Sequence, residues 1–150
     1  MLVLIRWIFV LVWMGVIFAF SHQAHSSQAT EVYFGGFNIF VRKMGHISEF
    51  AILYFLVRWA LLASSLKQAE TEKDSSKTKR WQNVIEDKTI LGATLISIAY
   101  AISDEWHQSF VPGRSACVED VMLDSSAVLV AVLVTGLIDK IFAKLRGAKT

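Results

Sequence analysis

Lys43, His46 and Glu49 follow one another at i, i+3 and i+6, and Leu53 continues the row, so one helical face carries a cation, an imidazole and a carboxylate. Downstream, the string Asp104-Glu105-Trp106-His107-Gln108-Ser109-Phe110-Val111-Pro112-Gly113-Arg114 supplies two carboxylates, an amide and a guanidinium. Asp120 and Asp124 come next, one helical turn apart. Ser97, Tyr100 or Ala101, Asp104 and Gln108 fall on one side of the helix that leads into the string. Pro112-Gly113 is a turn signal, with proline fixing φ and glycine permitting a positive one. The chain should fold back there and return Arg114 toward the carboxylates. His46, Glu49, Asp104, Glu105, Asp120 and Asp124 are the candidate catalytic groups; Lys43, Gln108 and Arg114 are the candidate ligand-binding groups. His46 with Glu49 one turn away would make an oriented base. Asp104 and Glu105 could split their proton affinities through burial and like charge. An arginine fork pairs carboxylates or holds a phosphate or carboxylate ligand.

The elements that position these groups follow from hydropathy. With 150 residues, one domain is expected. A hydrophobic content of 54% is too high for a soluble chain of this size, and it is concentrated in blocks. The blocks predict spans at 2–20, 46–66, 88–107 and 118–138, an all-α integral membrane four-helix bundle. A cleaved signal peptide ending near Ala19 and Ser21 is the rival reading of the first block, but its apolar run is long for one and contains Trp13. A short interfacial helix fits between His22 and Arg42, and Arg58 should snorkel to the headgroups. Residues 67–87 read as a charged, solvated cytoplasmic loop, with 67–80 its most mobile part.

Lysine and arginine set the orientation. Lys67, Lys73, Lys77, Lys79, Arg80 and Lys88 flank or fill the middle loop, and Lys140, Lys144, Arg146 and Lys149 the tail. The alternate loops hold only Arg42, Lys43 and Arg114. Both termini should therefore be cytoplasmic, with the polar motifs facing the periplasm or exterior across the inner membrane. The third apolar run, Ile90 to Ile102, is about 13 residues or roughly 20 Å long, some 10 Å short of the hydrocarbon core. The fourth is uninterrupted only from Ala127 to Ile138. Both are truncated on the same side, where the carboxylates lie. A charge at bilayer depth costs about 2.5 kcal/mol or more, so these groups should face a shared polar pocket in the outer leaflet.

The polar string resembles the VanZ-like family of bacterial membrane proteins. That family's pattern is Lys-x-x-His-x-x-Glu opening one helix, then Asp-Glu-x-x-Gln-x-Phe-x-Pro-x-Arg, then Asp and a second polar residue opening the last. Lys43, His46, Glu49, Asp104, Glu105, Gln108, Phe110, Pro112, Arg114, Asp120 and Asp124 match it, and Ser21-His22-Gln23 resembles the family's serine-rich exit from its first span. After Asp124, where the family usually has a small residue and glycine, this chain reads Ser125-Ser126-Ala127. The founding member is associated with reduced susceptibility to teicoplanin, a phenotype that the resemblance does not carry to this chain.

These observations exclude some functions and leave others open. A single cysteine, Cys117, supports neither a disulfide framework nor a zinc finger, and no glycine-rich phosphate loop is present; no nucleic-acid partner is expected. His25, His107 and Cys117 read as background. The leading expectation is a pocket that binds or processes an anionic headgroup of a phospholipid or lipid-linked envelope precursor. The alternative is a non-catalytic protein whose charges lock the helices together. A hard-metal site and a proton relay are further options, although no residue is assigned to a metal and no cofactor follows from the sequence. The catalytic reading has no complete motif behind it, and the oligomeric state does not follow.

Overall fold

The computed structural model describes residues 1–71, 78–114 and 116–147. Every element among them is helical: α1 (Leu2–Ser21), α2 (Ser26–Phe34), a 3-10 turn (Gly35–Phe37), α3 (Asn38–Thr71), α4 (Thr78–Gln108) and α5 (Val118–Gly147). Helix α3 is the hub, packing on α1, α4 and α5, while α4 also touches α5 and α1. α2 is the short helix expected between His22 and Arg42, and it lies against α3.

Three stretches among the described residues are long and apolar enough to cross a membrane: Leu2–Ser21, Thr30–Lys67 and Val118–Ile141. α4 is long, at 31 residues, but does not reach that hydropathy. Its last turns carry Asp104, Glu105, His107 and Gln108.

The distribution of apolar side chains suits helices able to cross a membrane. Leu4, Leu11, Leu91, Leu95, Leu129, Leu133 and Leu137 are all exposed, whereas the interior includes buried Asp104, Glu105, Gln108 and Asp124. In water so much exposed leucine would drive association. The core proper comprises Val10 and Ile17 of α1, Phe50, Leu53, Tyr54, Val57 and Ala60 of α3, Ala93 and Ala101 of α4, and Val128 and Ala131 of α5. Alanine at these crossings lets the backbones approach, which is how helices gain contact without a hydrophobic drive between them.

The helices run further than the apolar blocks suggest. α3 starts at Asn38 rather than 46, and the expected 67–87 loop is helical from both sides, α3 reaching Thr71 and α4 beginning at Thr78. Alanine, lysine, glutamate and glutamine are strong helix formers, so these segments need no buried stripe to stay helical. Residues 72–77, on which the expected mobility partly rests, lie outside the described residues.

Arg58, expected to reach toward the headgroups, is held in an ion pair. Its Nη2 donates to Asp139 Oδ2 at 2.6 Å, joining α3 to α5. At the same end Arg6 Nη1 donates to the Trp59 carbonyl at 2.9 Å, with its guanidinium 4.5 Å from the indole centroid. Trp7 Nε1 reaches Ser64 Oγ at 3.3 Å. The start of α1 and the later turns of α5 therefore share one end of the molecule, and the polar string occupies the other.

Candidate functional site

The polar end is assembled by the turn after α4. Gly113 takes φ +77°, as the Pro-Gly signal requires, and a Cβ there would strike the His25 ring. His25 itself has φ +53°, and its backbone N–H donates to the Pro112 carbonyl at 3.3 Å. This contact ties the loop after α1 to the loop after α4 and sets the direction in which Arg114 leaves.

Arg114 returns toward α4 and α1 but pairs with neither carboxylate of the string. Its Nη1 donates to Gln108 Oε1 at 3.0 Å and its Nη2 to the Phe20 carbonyl at 2.7 Å. Gln108 Nε2 in turn donates to Asp104 Oδ2 at 2.7 Å, and Ser21 Oγ donates to the same oxygen at 2.7 Å. In place of the ion pair that is one of two readings of Arg114 stands a relay through an amide, because Gln108, one turn after Asp104, intercepts the guanidinium. Burial, and then repulsion from Arg42, draw Arg114 below its ordinary pKa, against the attraction of Asp104, Glu105 and Glu49. A guanidinium remains charged regardless.

Adjacent in sequence, Asp104 and Glu105 serve different neighbours. Glu105 turns to α5, where its Oε2 accepts the Cys117 backbone N–H at 3.2 Å. There it meets His46 of α3 and Asp124 of α5, and one donor atom from each of the three lies within 4.8 Å of the others. His46 Nδ1 stands 3.6 Å from Asp124 Oδ1. That is an ion-pair distance if the imidazole is protonated, and too long for a hydrogen bond. The carboxylate that faces His46 is therefore Asp124 across the helix interface rather than Glu49 along its own helix.

Two small cavities adjoin this cluster. One, of about 190 Å³, is lined by residues that include Arg42, Gly45, His46, Glu49 and Arg114. The second, of about 130 Å³, is lined by Ile39, Arg42, Lys43, His46, Gln108 and Asp120. Arg42 and His46 belong to both. All nine residues singled out from the sequence thus fall in one neighbourhood: Asp104, Gln108 and Arg114 in the relay, His46, Glu105 and Asp124 in the cluster, and Lys43, Glu49 and Asp120 on the cavity walls. Lys43 is exposed.

Sequence reasoning missed Arg42 as a member of the site, having used it only for orientation. It also missed that Ser21 anchors Asp104. His107 is less isolated than expected: its Nε2 lies 3.2 Å from His22 Nδ1, and its ring sits 4.4 Å from that of Phe18. Near the mouth, burial and the adjacent Glu119 and Asp120 push the Cys117 thiol up, in keeping with an inert sulfur.

Compared with known proteins, residues 6–139 match the family model described as VanZ/LLP1, which is most of the chain. No curated protein and no solved structure matches it.

Proposed function

The chain belongs to the VanZ-like family, and from that footing we propose that it crosses the inner membrane four times, both termini cytoplasmic, and binds an anionic headgroup in a polar pocket open to the outside. The headgroup is that of a phospholipid or of a lipid-linked envelope precursor. α4 supplies the fourth crossing. Leu91, Leu95 and Ile102 on its outer surface are exposed in the same way as the leucines of α1 and α5, which favours lipid around it. The lysine and arginine excess at the opposite end favours the orientation.

The observation that carries the binding reading is the cleft of about 190 Å³ holding two guanidiniums, Arg42 and Arg114, beside His46. Drug-sized ligands need roughly 300–1,000 Å³. A cleft this small suits a phosphate-sized anion whose hydrophobic remainder stays in the bilayer. Arg114 has donors in reserve: two of its nitrogens are engaged, and its Nε is buried without a partner. A fork of this kind is the usual means of holding phosphate. The carboxylates and imidazole alongside would supply acid–base groups if the headgroup is processed as well as held.

A structural reading is favoured by one observation. Asp104 Oδ2 accepts from both Ser21 and Gln108, and these bonds, made within the protein, join α1 to α4. The two readings separate experimentally. The chain would be purified in lipid nanodiscs and the retained anionic lipid counted by native mass spectrometry. Under the binding reading Arg42→Gln and Arg114→Gln lose at least tenfold of that lipid at unchanged abundance, and Lys140→Gln at the opposite end loses none. Equal retention in all three, or loss of abundance without loss of lipid, supports the structural reading.

A further inference from the structure

Asp124 is the most deeply placed acid among the described residues: it is 0% exposed, and neither of its carboxylate oxygens has a hydrogen-bond partner. Glu105, 3% exposed, leaves its Oε1 unpartnered as well, and so does His46 its Nδ1. Three neighbouring residues on three helices thus leave four polar atoms without partners. Buried polar groups are normally satisfied, and a concentration of orphans at one point calls for a missing partner. The cations nearby do not provide it. The Arg114 contacts run to Gln108 and Phe20, and among the described residues no lysine or arginine forms an ion pair with Glu105 or Asp124.

We propose that His46, Glu105 and Asp124 bind a single divalent transition-metal ion of the zinc–manganese class. Three observations meet here. The donor set is one imidazole nitrogen and two carboxylates, which suits zinc, manganese or ferrous iron better than magnesium or calcium, whose sites are all-oxygen. The donor atoms lie within 4.8 Å of one another on α3, α4 and α5. A tetrahedral ion with bonds of about 2.0–2.1 Å needs its ligands about 3.4 Å apart, a contraction within reach of small side-chain rotations. Each of the three residues also contributes at least one buried atom without a hydrogen-bond partner. One dication would neutralise two buried carboxylates that otherwise face only a single protonatable imidazole. Three protein ligands leave at least one position free, as in metal sites that accept an exogenous ligand. Glu105 already has a supporting contact, since its other oxygen accepts the Cys117 backbone N–H, and such contacts orient metal ligands. His46 lines both cavities whereas Glu105 and Asp124 line neither, which puts the ion behind the wall of the cleft. The site does not depend on the cleft taking a headgroup.

The test uses the full-length chain purified in detergent, stripped with EDTA, dialysed, and offered Zn²⁺, Mn²⁺ or Co²⁺ alone. The expected result is one ion per chain by elemental analysis. Co²⁺ should give visible absorption bands of a low-symmetry nitrogen and oxygen site. His46→Gln, Glu105→Gln and Asp124→Asn should each weaken binding at least tenfold, and Glu119→Gln, an exposed acid on the first turn of α5, should leave it unchanged. The stoichiometry and the Co²⁺ spectrum are read on the wild-type chain, so a variant that fails to fold does not blunt the test. Fewer than about one ion in ten chains would overturn the site, with the two carboxyls then held neutral by protons. Uptake that survives the His46 and Asp124 substitutions would overturn it too. Anionic-lipid retention by the EDTA-stripped chain is measured separately, so loss of the metal site and loss of headgroup binding are distinguishable.

Discussion

His46 of α3 turns its Nδ1 toward Asp124 Oδ1 of α5 across 3.6 Å, although Glu49 lies one turn away on its own helix. The relationship crosses a helix interface and draws in Glu105 from α4. It explains why these acids can sit beneath an apolar surface: each faces another helix rather than the exposed apolar side chains. The Arg42 and Arg114 cleft lies beside them, so the same end of the molecule holds both signs of charge.

The Arg58–Asp139 pair should matter for stability and not for the polar site. Their side chains are 14% and 32% exposed and lie at the other end from Arg114. Removing either partner leaves an uncompensated charge between α3 and α5, for which we expect a loss of about 1–3 kcal/mol, discounted for partial exposure. Thermal unfolding in detergent would show a lower midpoint for Arg58→Leu or Asp139→Leu. The double replacement should recover most of the loss, with lipid retention at the wild-type level throughout.

Ser21 is expected to act through Asp104. Ser21→Ala removes one of the two donors to Asp104 Oδ2, while Oδ1 already lacks a partner. Leaving a buried carboxylate short of a hydrogen bond costs about 1–3 kcal/mol. The thermal midpoint should fall, and Ser21→Thr, which keeps the hydroxyl, should restore much of it.

Gly113 should tolerate no side chain. Its φ of +77° and the His25 ring beside it oppose a Cβ for independent reasons. Gly113→Ala should destabilise by about 1–3 kcal/mol and loosen the turn that delivers Arg114. The measurement is a fall in thermal midpoint together with weaker anionic-lipid retention.

What was legible in the sequence was local. The row Lys43, His46, Glu49 and Leu53 needed only the helical repeat, and the positive φ at Gly113 only the chemistry of a Pro-Gly turn. The partners were not legible. Whether His46 meets Glu49 or Asp124, and whether Arg114 meets Asp104 or Gln108, depends on the rotation and crossing of helices that one sequence does not specify. Arg42 was read for orientation alone because its neighbour Lys43 fitted the helical row. The charged segments either side of 72–77 looked like loop because they lack an apolar stripe, yet their residue types favour helix without one.

The proposed outward-facing, positively charged cleft is reached directly through Gly45. Gly45 lines the cleft, and a Cβ built there meets nothing within 4 Å. In a Cys117→Ala background, Gly45→Cys would be treated in intact cells with membrane-impermeant methanethiosulfonates of opposite charge. The account predicts modification from outside, with the anionic reagent faster than the cationic one by about tenfold, as two nearby guanidiniums imply. No modification from outside, or a faster reaction with the cationic reagent, would contradict it.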